Sequence, residues 1–105
     1  IPEEMQVQKF KSDFQADINN MWKSTQGSQK VVYFLPNKIR QICFTNNELE
    51  NIYFIPDKFN GYALDNLNIM KTLNGLEQLC IPTSNGKVSM IIKKEYNENS
   101  VTIKK

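Results

Sequence analysis

The two cysteines, Cys43 and Cys80, have the most clearly defined chemistry in this chain, because no third thiol is present to compete for either of them. Each lies between apolar neighbours in a β-rich block, which is consistent with an interior strand. They are either two reduced, buried thiols, as is usual in cytosolic proteins, or one disulfide. The even count favours the disulfide, which would close a loop of about 38 residues and contribute about 4 kcal/mol in the chain-entropy model. A disulfide would in turn indicate a domain that functions outside the cytosol.

Histidine is absent from the sequence. This removes the usual proton carrier at neutral pH, the nucleophile arrangements that depend on that carrier, and most zinc sites. No CxxC motif, glycine-rich phosphate loop or EF-hand spacing occurs either. We therefore predict no enzyme activity, no catalytic residue and no cofactor.

Carboxylates are the remaining candidates for chemistry. Asp13 and Asp17 lie one turn apart on a predicted helix and could together hold a cation, but a solvated helix face shows the same spacing. Asp57 and Asp65 flank a loop at 57–74 that offers too few oxygen ligands in register for a calcium site. We predict a metal site in neither place. The one cluster in which an active site could be sought consists of Tyr53, Asp57, Lys58, Tyr62 and Asp65.

The composition is that of an ordinary globular chain. It has 105 residues, of which 40% are apolar and 23% charged, with a net charge of +2. This size predicts a single domain, 1–105. Nucleic-acid binding is not expected, because the basic residues are spread along the chain rather than gathered on one dense basic face. Lys93, Lys94, Lys104 and Lys105 either form a small basic patch or protect an edge strand from aggregation.

These side chains must be positioned by a long helix followed by a sheet, because the apolar period changes near residue 27. Before that point, apolar residues recur at spacings of three and four, which predicts an amphipathic helix over about 2–24. Pro2 suits the first turn of such a helix, and Gly27 lies in the stretch that ends it. The stripe that we expect to pack on the sheet consists of Val7, Phe10, Phe14, Ile18 and Met21.

Short blocks rich in β-branched and aromatic residues predict six strands over about 30–105. We expect the first two to form a hairpin across Pro36-Asn37. The last three should form an antiparallel meander, and Asn85-Gly86, the strongest turn signal in the chain, should make its first turn. The predicted strands are 30–35, 39–45, 49–55, 76–81, 88–96 and a short one at Val101 and Ile103.

The predicted fold class is α+β, with the long N-terminal helix packed on an antiparallel sheet. One face of the sheet needs a cover, and the helix stripe is the only long apolar surface that can supply it. Residues 57–74 stay ambiguous between a short helix and an irregular strand.

Two segments carry a resemblance to a known family: "GSQKVVYFLPNKIRQICF" and, later, "LEQLCIPTSNGKVSMII". With the amphipathic helix that precedes them, they resemble the soluble half of type IV pilins and pseudopilins, and in particular archaeal surface proteins with pilin-like leaders. In that family the helix continues N-terminally as an apolar segment, which is anchored in the membrane before assembly and lies in the filament core afterwards. The resemblance implies that Cys43 and Cys80 form a structural bridge, and it implies no catalytic residue.

Two functions from different classes are therefore expected. The first is an extracellular, pilin-like structural or adhesion domain at the cell surface, with protein partners and a membrane tether in the full-length protein. No apolar run here approaches the ~20 residues of a membrane span, and the chain starts with Ile1-Pro2 rather than Met, so we expect that tether upstream. The second is a soluble module that binds a protein through an exposed strand edge or through the 57–74 loop.

Overall fold

The computed structural model describes all 105 residues. The chain forms two helices and six strands: α1 Glu3–Lys23, β1 Gly27–Phe34, β2 Gln41–Thr45, β3 Ile52–Ile55, α2 Ile69–Leu73, β4 Gln78–Pro82, β5 Lys87–Lys94 and β6 Thr102–Lys104. The N-terminal helix agrees with its predicted bounds to within one residue at each end. Strand β1 begins three residues earlier than predicted, so the loop between the helix and the first strand is short.

Helix α1 packs on the sheets through a single apolar stripe. At its N-terminus, the carbonyl oxygen of Pro2 accepts the N–H of Gln6 at 3.1 Å. At its C-terminus, Lys94 of β5 donates from Nζ to the carbonyl oxygens of Trp22 and Ser24, both at 2.6 Å. A cation at this end offsets the negative pole of the helix dipole. The buried side chains of the stripe are Val7, Phe10, Phe14, Ile18 and Met21.

Aromatic rings on α1 contact both sheets of the protein. The ring centroid of Phe10 lies 5.4 Å from that of Tyr33 in β1 and 6.0 Å from that of Phe54 in β3. Phe14 lies 6.3 Å from Phe44 in β2, edge to face. These rings belong to one cluster of 21 buried residues. The helix therefore closes the space between two sheets rather than covering one face of a single sheet.

The six strands form two three-stranded antiparallel sheets. Sheet A has the order β1-β5-β6, and sheet B has the order β3-β2-β4. The predicted hairpin of the first two strands is wrong, because β1 pairs with β5, while β2 pairs with β3 and β4. The predicted meander of the last three strands is also wrong, because only β5 and β6 pair with each other. Turn signals mark where a strand ends, but the choice of partner depends on which faces can be buried together.

The turn at Asn85-Gly86 shows how the meander is interrupted. Both residues have positive φ angles, 54° and 73°, as a type I′ turn requires. The residues on either side exchange two backbone hydrogen bonds. Thr83, the residue before Ser84, instead donates its N–H to the carbonyl oxygen of Arg40 at 2.9 Å. The turn is thus present as predicted, but β4 diverges from β5 and joins sheet B.

Residues 57–74 contain both of the structures that the sequence left open. Tyr62 exchanges two backbone hydrogen bonds with Ile52 of β3, at 3.0 and 3.2 Å. The N–H of Asn68 then donates to the carbonyl oxygen of Val101, just before β6, at 2.7 Å. The side chain of Asn68 also caps the N-terminus of the short helix α2. This segment therefore runs against the outer strand of each sheet in turn.

Candidate functional site

The carboxylates singled out in the sequence do not converge on a metal site. No group of three or more cysteine, aspartate or glutamate side chains is placed to hold an ion. Asp13 forms an ion pair with Lys9 at 2.7 Å. Asp17 accepts a hydrogen bond from the hydroxyl of Tyr33 at 2.6 Å. Both members of the Asp13/Asp17 pair are thus engaged in separate structural contacts.

Strand β3 separates the two tyrosines of the polar cluster in which an active site could be sought. On one face of β3, the hydroxyl of Tyr53 donates to Oε1 of Gln78. On the other face, the ring of Tyr62 packs on Phe54 at 6.4 Å between centroids. Burial raises the pKa of Tyr62, whose hydroxyl is buried without a hydrogen-bond partner. The three remaining members are exposed: Asp57, Lys58 and Asp65.

Cys43 and Cys80 form a disulfide with an S–S distance of 2.09 Å. They lie directly opposite each other on β2 and β4, with 4.0 Å between their Cα atoms. Arg40 and Thr83, three positions further along these two strands, are hydrogen-bonded, so by alternation the cysteines occupy a non-hydrogen-bonded position, where facing side chains come closest. The predicted bridge is confirmed. It lies on the face of sheet B away from the core, and it ties the edge strand β4 to the central strand β2.

Three of the four C-terminal lysines have separate positions in the fold. Lys94 binds the end of α1 as described above. Lys93 forms an ion pair with Glu95 at 3.0 Å, and Lys104 lies on β6, an edge strand of sheet A. Because β5 is the central strand of that sheet, edge protection cannot explain Lys93 or Lys94.

Two of the four sheet edges are closed by other parts of the chain. The outward N–H of Ile103 in β6 donates to Oγ1 of Thr72 in α2 at 3.1 Å. The edge of β3 is closed at Ile52 by the segment around Tyr62. The edge of β4 is short and ends at Pro82, which has no N–H to offer. These are the ways in which native proteins prevent unwanted pairing at a sheet edge.

The fourth edge, that of β1, is long and unpaired. The N–H of Leu35 donates to the carbonyl oxygen of Gly86, and alternation from this bond directs every second residue of β1 toward β5. The intervening residues direct their N–H and C=O groups away from β5, and no helix, loop or side chain accepts or donates there. These outward residues are Ser28, Lys30, Val32 and Phe34.

The outward residues of β1 also expose apolar side chains. Val32 is 50% exposed and Phe34 is 67% exposed, although both belong to the protein's longest sheet pairing. Along the same part of the strand, a groove of about 270 Å³ runs between β1 and α1. It is lined by the Lys9/Asp13 ion pair, by Phe10 and Tyr33, and by Val32 and Phe34 themselves. An added strand would therefore find free backbone groups, exposed apolar side chains and a groove beside α1.

The sequence predicts an exposed strand edge but does not locate it. The signal was the continuous apolar run over 31–35, in which both faces of β1 are apolar. Such a run is typical either of a strand buried on both faces or of a strand with an exposed apolar face. Only the sheet order shows that the second case applies, at Val32 and Phe34.

No helix of the chain combines the length and apolar character needed to cross a membrane. The chain matches no protein-family model, and no curated protein or solved structure matches it.

Proposed function

We propose that this chain is a non-enzymatic, extracytoplasmic protein-binding domain that takes an extended segment of a partner onto the free edge of β1. The observation that carries the proposal is the contrast between the sheet edges. Two edges are closed by other elements and one is short, whereas the eight-residue β1 offers unpaired backbone groups beside exposed Val32 and Phe34.

Strand addition uses backbone hydrogen bonds for affinity and alternate side chains for specificity. The outward N–H and C=O groups of β1 supply the hydrogen bonds. One set of partner side chains would cover Val32 and Phe34, and the alternate set would enter the groove beside Phe10. Burying about 100 Å² of apolar surface in this way contributes roughly 2–3 kcal/mol, which is lost if the partner cannot form a strand.

The disulfide supports the extracytoplasmic part of the proposal. Disulfides form and persist in oxidising compartments and are rare in the cytosol of most organisms. The Cys43–Cys80 bridge holds the edge strand of sheet B, so it stabilises the scaffold rather than the proposed binding edge.

A second candidate is the pilin-like assembly domain that the sequence resemblance implies. It is favoured by the 21-residue length of α1 and by the exposed apolar side chains at its N-terminal end, Ile1 at 78% and Met5 at 57%. The gene sequence upstream of Ile1 tests this candidate. A run of ~20 apolar residues after a short charged leader supports it, and a further polar domain directly upstream removes it.

A backbone substitution at β1 tests the strand-addition proposal. Because the N–H of Val32 points away from β5, Val32→Pro removes an outward donor without breaking the β1–β5 ladder. A yeast-displayed library of random dodecapeptides is selected on the wild-type domain, and each enriched peptide is then titrated against wild type and V32P. We expect peptides whose binding V32P weakens at least tenfold.

The control for this experiment is Val32→Thr, which replaces one methyl group with a hydroxyl but keeps the backbone donor. V32T should retain most of the affinity that V32P loses, and both variants should keep the circular dichroism spectrum of the parent. The proposal fails if no peptide is enriched, or if the enriched peptides bind V32P as tightly as wild type.

A further inference from the structure

The charged residues of sheet A are all positive. Strands β1, β5 and β6 together contain five lysines and not a single aspartate or glutamate. Because these strands contain no carboxylate, all 11 acidic residues of the chain lie elsewhere. The chain as a whole has a net charge of only +2. The five lysines of sheet A are Lys30, Lys87, Lys93, Lys94 and Lys104.

Two of these lysines are engaged in polar contacts within the protein, and three form no ion pair. Lys94 is directed to the carbonyl oxygens at the end of α1, and Lys93 is paired with Glu95. The other three form no ion pair within 4 Å: Lys30, Lys87 and Lys104.

The three unpaired lysines share the outer face of sheet A with the exposed apolar side chains of β1. Lys30 lies on β1 two residues from Val32, and its cross-strand neighbour Ile91 is itself opposite Lys104. Lys87 is the cross-strand neighbour of Phe34, and its Nζ lies 5.4 Å from the centroid of that ring. A strand added at the edge of β1 would therefore lie beside apolar and cationic side chains in a defined order.

We infer that the partner segment is acidic and alternates: an acidic side chain faces Lys30, and apolar side chains two and four positions along face Val32 and Phe34. This inference rests on the proposed function. Opposite charges facing each other across neighbouring strands are stabilising, and like charges are destabilising. Charge complementarity also raises the rate of association and rejects wrong partners.

The same charges argue against a second copy of this chain as the partner. If two copies paired through β1, two lysine-bearing strands without any carboxylate would lie side by side. The unpaired Lys30, Lys87 and Lys104 of each copy would then face a surface of the same sign. A different chain with a carboxylate at the Lys30 position relieves this repulsion.

Defined peptides separate the inference from the proposal on which it rests. The probe is an octapeptide in which every second residue is threonine and the other four are, in order, Glu, Val, Val and Glu. It is compared with the same peptide carrying glutamine or lysine in place of glutamate. Titration is followed by the amide resonances of β1 at low and at moderate salt. We expect the glutamate peptide to bind roughly tenfold more tightly than the glutamine peptide, with the lysine peptide weakest and the difference reduced by salt.

Charge-reversed variants locate the effect. Lys30→Glu should weaken binding of the glutamate peptide and strengthen binding of the lysine peptide. Lys23→Glu changes the net charge by the same amount at an exposed site on α1, and it should change the affinity for neither peptide. Equal affinity for the three peptides, lost in V32P, overturns the acidic partner but leaves strand addition standing. A third outcome is that V32P binds the glutamate peptide, or vesicles rich in anionic lipid, as tightly as the parent does. This outcome overturns both strand addition and the acidic partner segment, because the outer face of sheet A would then attract anions without using the edge of β1.

Discussion

The hydroxyl of Tyr33 donates a hydrogen bond of 2.6 Å to Oδ2 of Asp17, and this bond ties the strand with the open edge to helix α1. Burial raises the pKa of Tyr33 far above its usual value, and the hydrogen bond to Asp17 raises it further. Burial also raises the pKa of Tyr62, which packs on the opposite flank of α1 near Lys11. Both tyrosines therefore keep their protons in the folded state at pH values where an unfolded tyrosine loses them.

We predict that stability falls at alkaline pH because of these two tyrosines. Below about pH 10, tyrosine is protonated in both the folded and the unfolded chain, so neither residue makes stability depend on pH. Above that pH the folded chain binds more protons than the unfolded chain, and the free energy of unfolding decreases as pH rises. Urea unfolding at pH 8 to 11, followed by circular dichroism, measures this. Tyr33→Phe should lower stability at pH 8 but show a shallower alkaline decline, and an equal decline in both proteins contradicts the assignment.

Truncation of the central ring of α1 should destabilise the protein strongly. Phe14 is fully buried and contacts rings from both sheets, so Phe14→Ala leaves a cavity that the surroundings fill only in part. We expect the free energy of unfolding to fall by about 3–5 kcal/mol. Met5→Ala, on the exposed side of the same helix, should change it by less than about 0.5 kcal/mol. Similar urea midpoints for parent and F14A would show that α1 does not close the core.

Removal of the disulfide should also destabilise the protein. The bridge joins residues 37 positions apart, and in the chain-entropy model the loss of such a loop lowers the free energy of unfolding by about 4 kcal/mol. The double variant Cys43→Ala/Cys80→Ala, compared with the oxidised parent by urea unfolding, measures this. A thiol titration of the parent under denaturing, non-reducing conditions is the independent check. Two reactive thiols there would show that the bridge does not form.

Closure of the β3 edge depends on a glycine. A Cβ atom added at Gly61 would lie 2.6 Å from the carbonyl oxygen of Ile52, which accepts the N–H of Tyr62. Gly61→Ala must therefore displace the segment from β3, and we expect a loss of about 1–3 kcal/mol in thermal or urea unfolding. The neighbouring Asn60→Ala, at an exposed position, should be nearly neutral. If G61A is as stable as N60A, the edge is not closed as described.

Hydrogen exchange tests the open edge without any partner. The amides of Gln29, Val31 and Tyr33 face β5 and should exchange slowly. The outward amides, those of Ser28, Lys30, Val32 and Phe34, should exchange at least about 100-fold faster, because they lack an acceptor. Two-dimensional amide spectra recorded after transfer into D₂O resolve this alternation along one strand. Uniform protection along β1 would show that its edge is already occupied.

Two features of the fold follow from the sequence by itself. The bounds of α1 and its buried stripe follow from the spacing of Phe10, Phe14 and Ile18, because side chains three and four apart share one face of a helix. The turn at Asn85-Gly86 follows equally, because these two residue types adopt positive φ at little cost. Such features depend on residues within a few positions of one another, so the local sequence contains the necessary information.

Only the tertiary structure decided how the strands pair and which edge is left open. The hairpin and meander predicted from short connections gave way to two sheets, because burial against α1 and between the sheets involves residues far apart in the chain. The bridge between Cys43 and Cys80 depends on tertiary structure in the same way, because it requires β4 to lie beside β2. The open edge at Val32 and Phe34 depends on which neighbours are missing from that side, and no local pattern specifies a neighbour's absence.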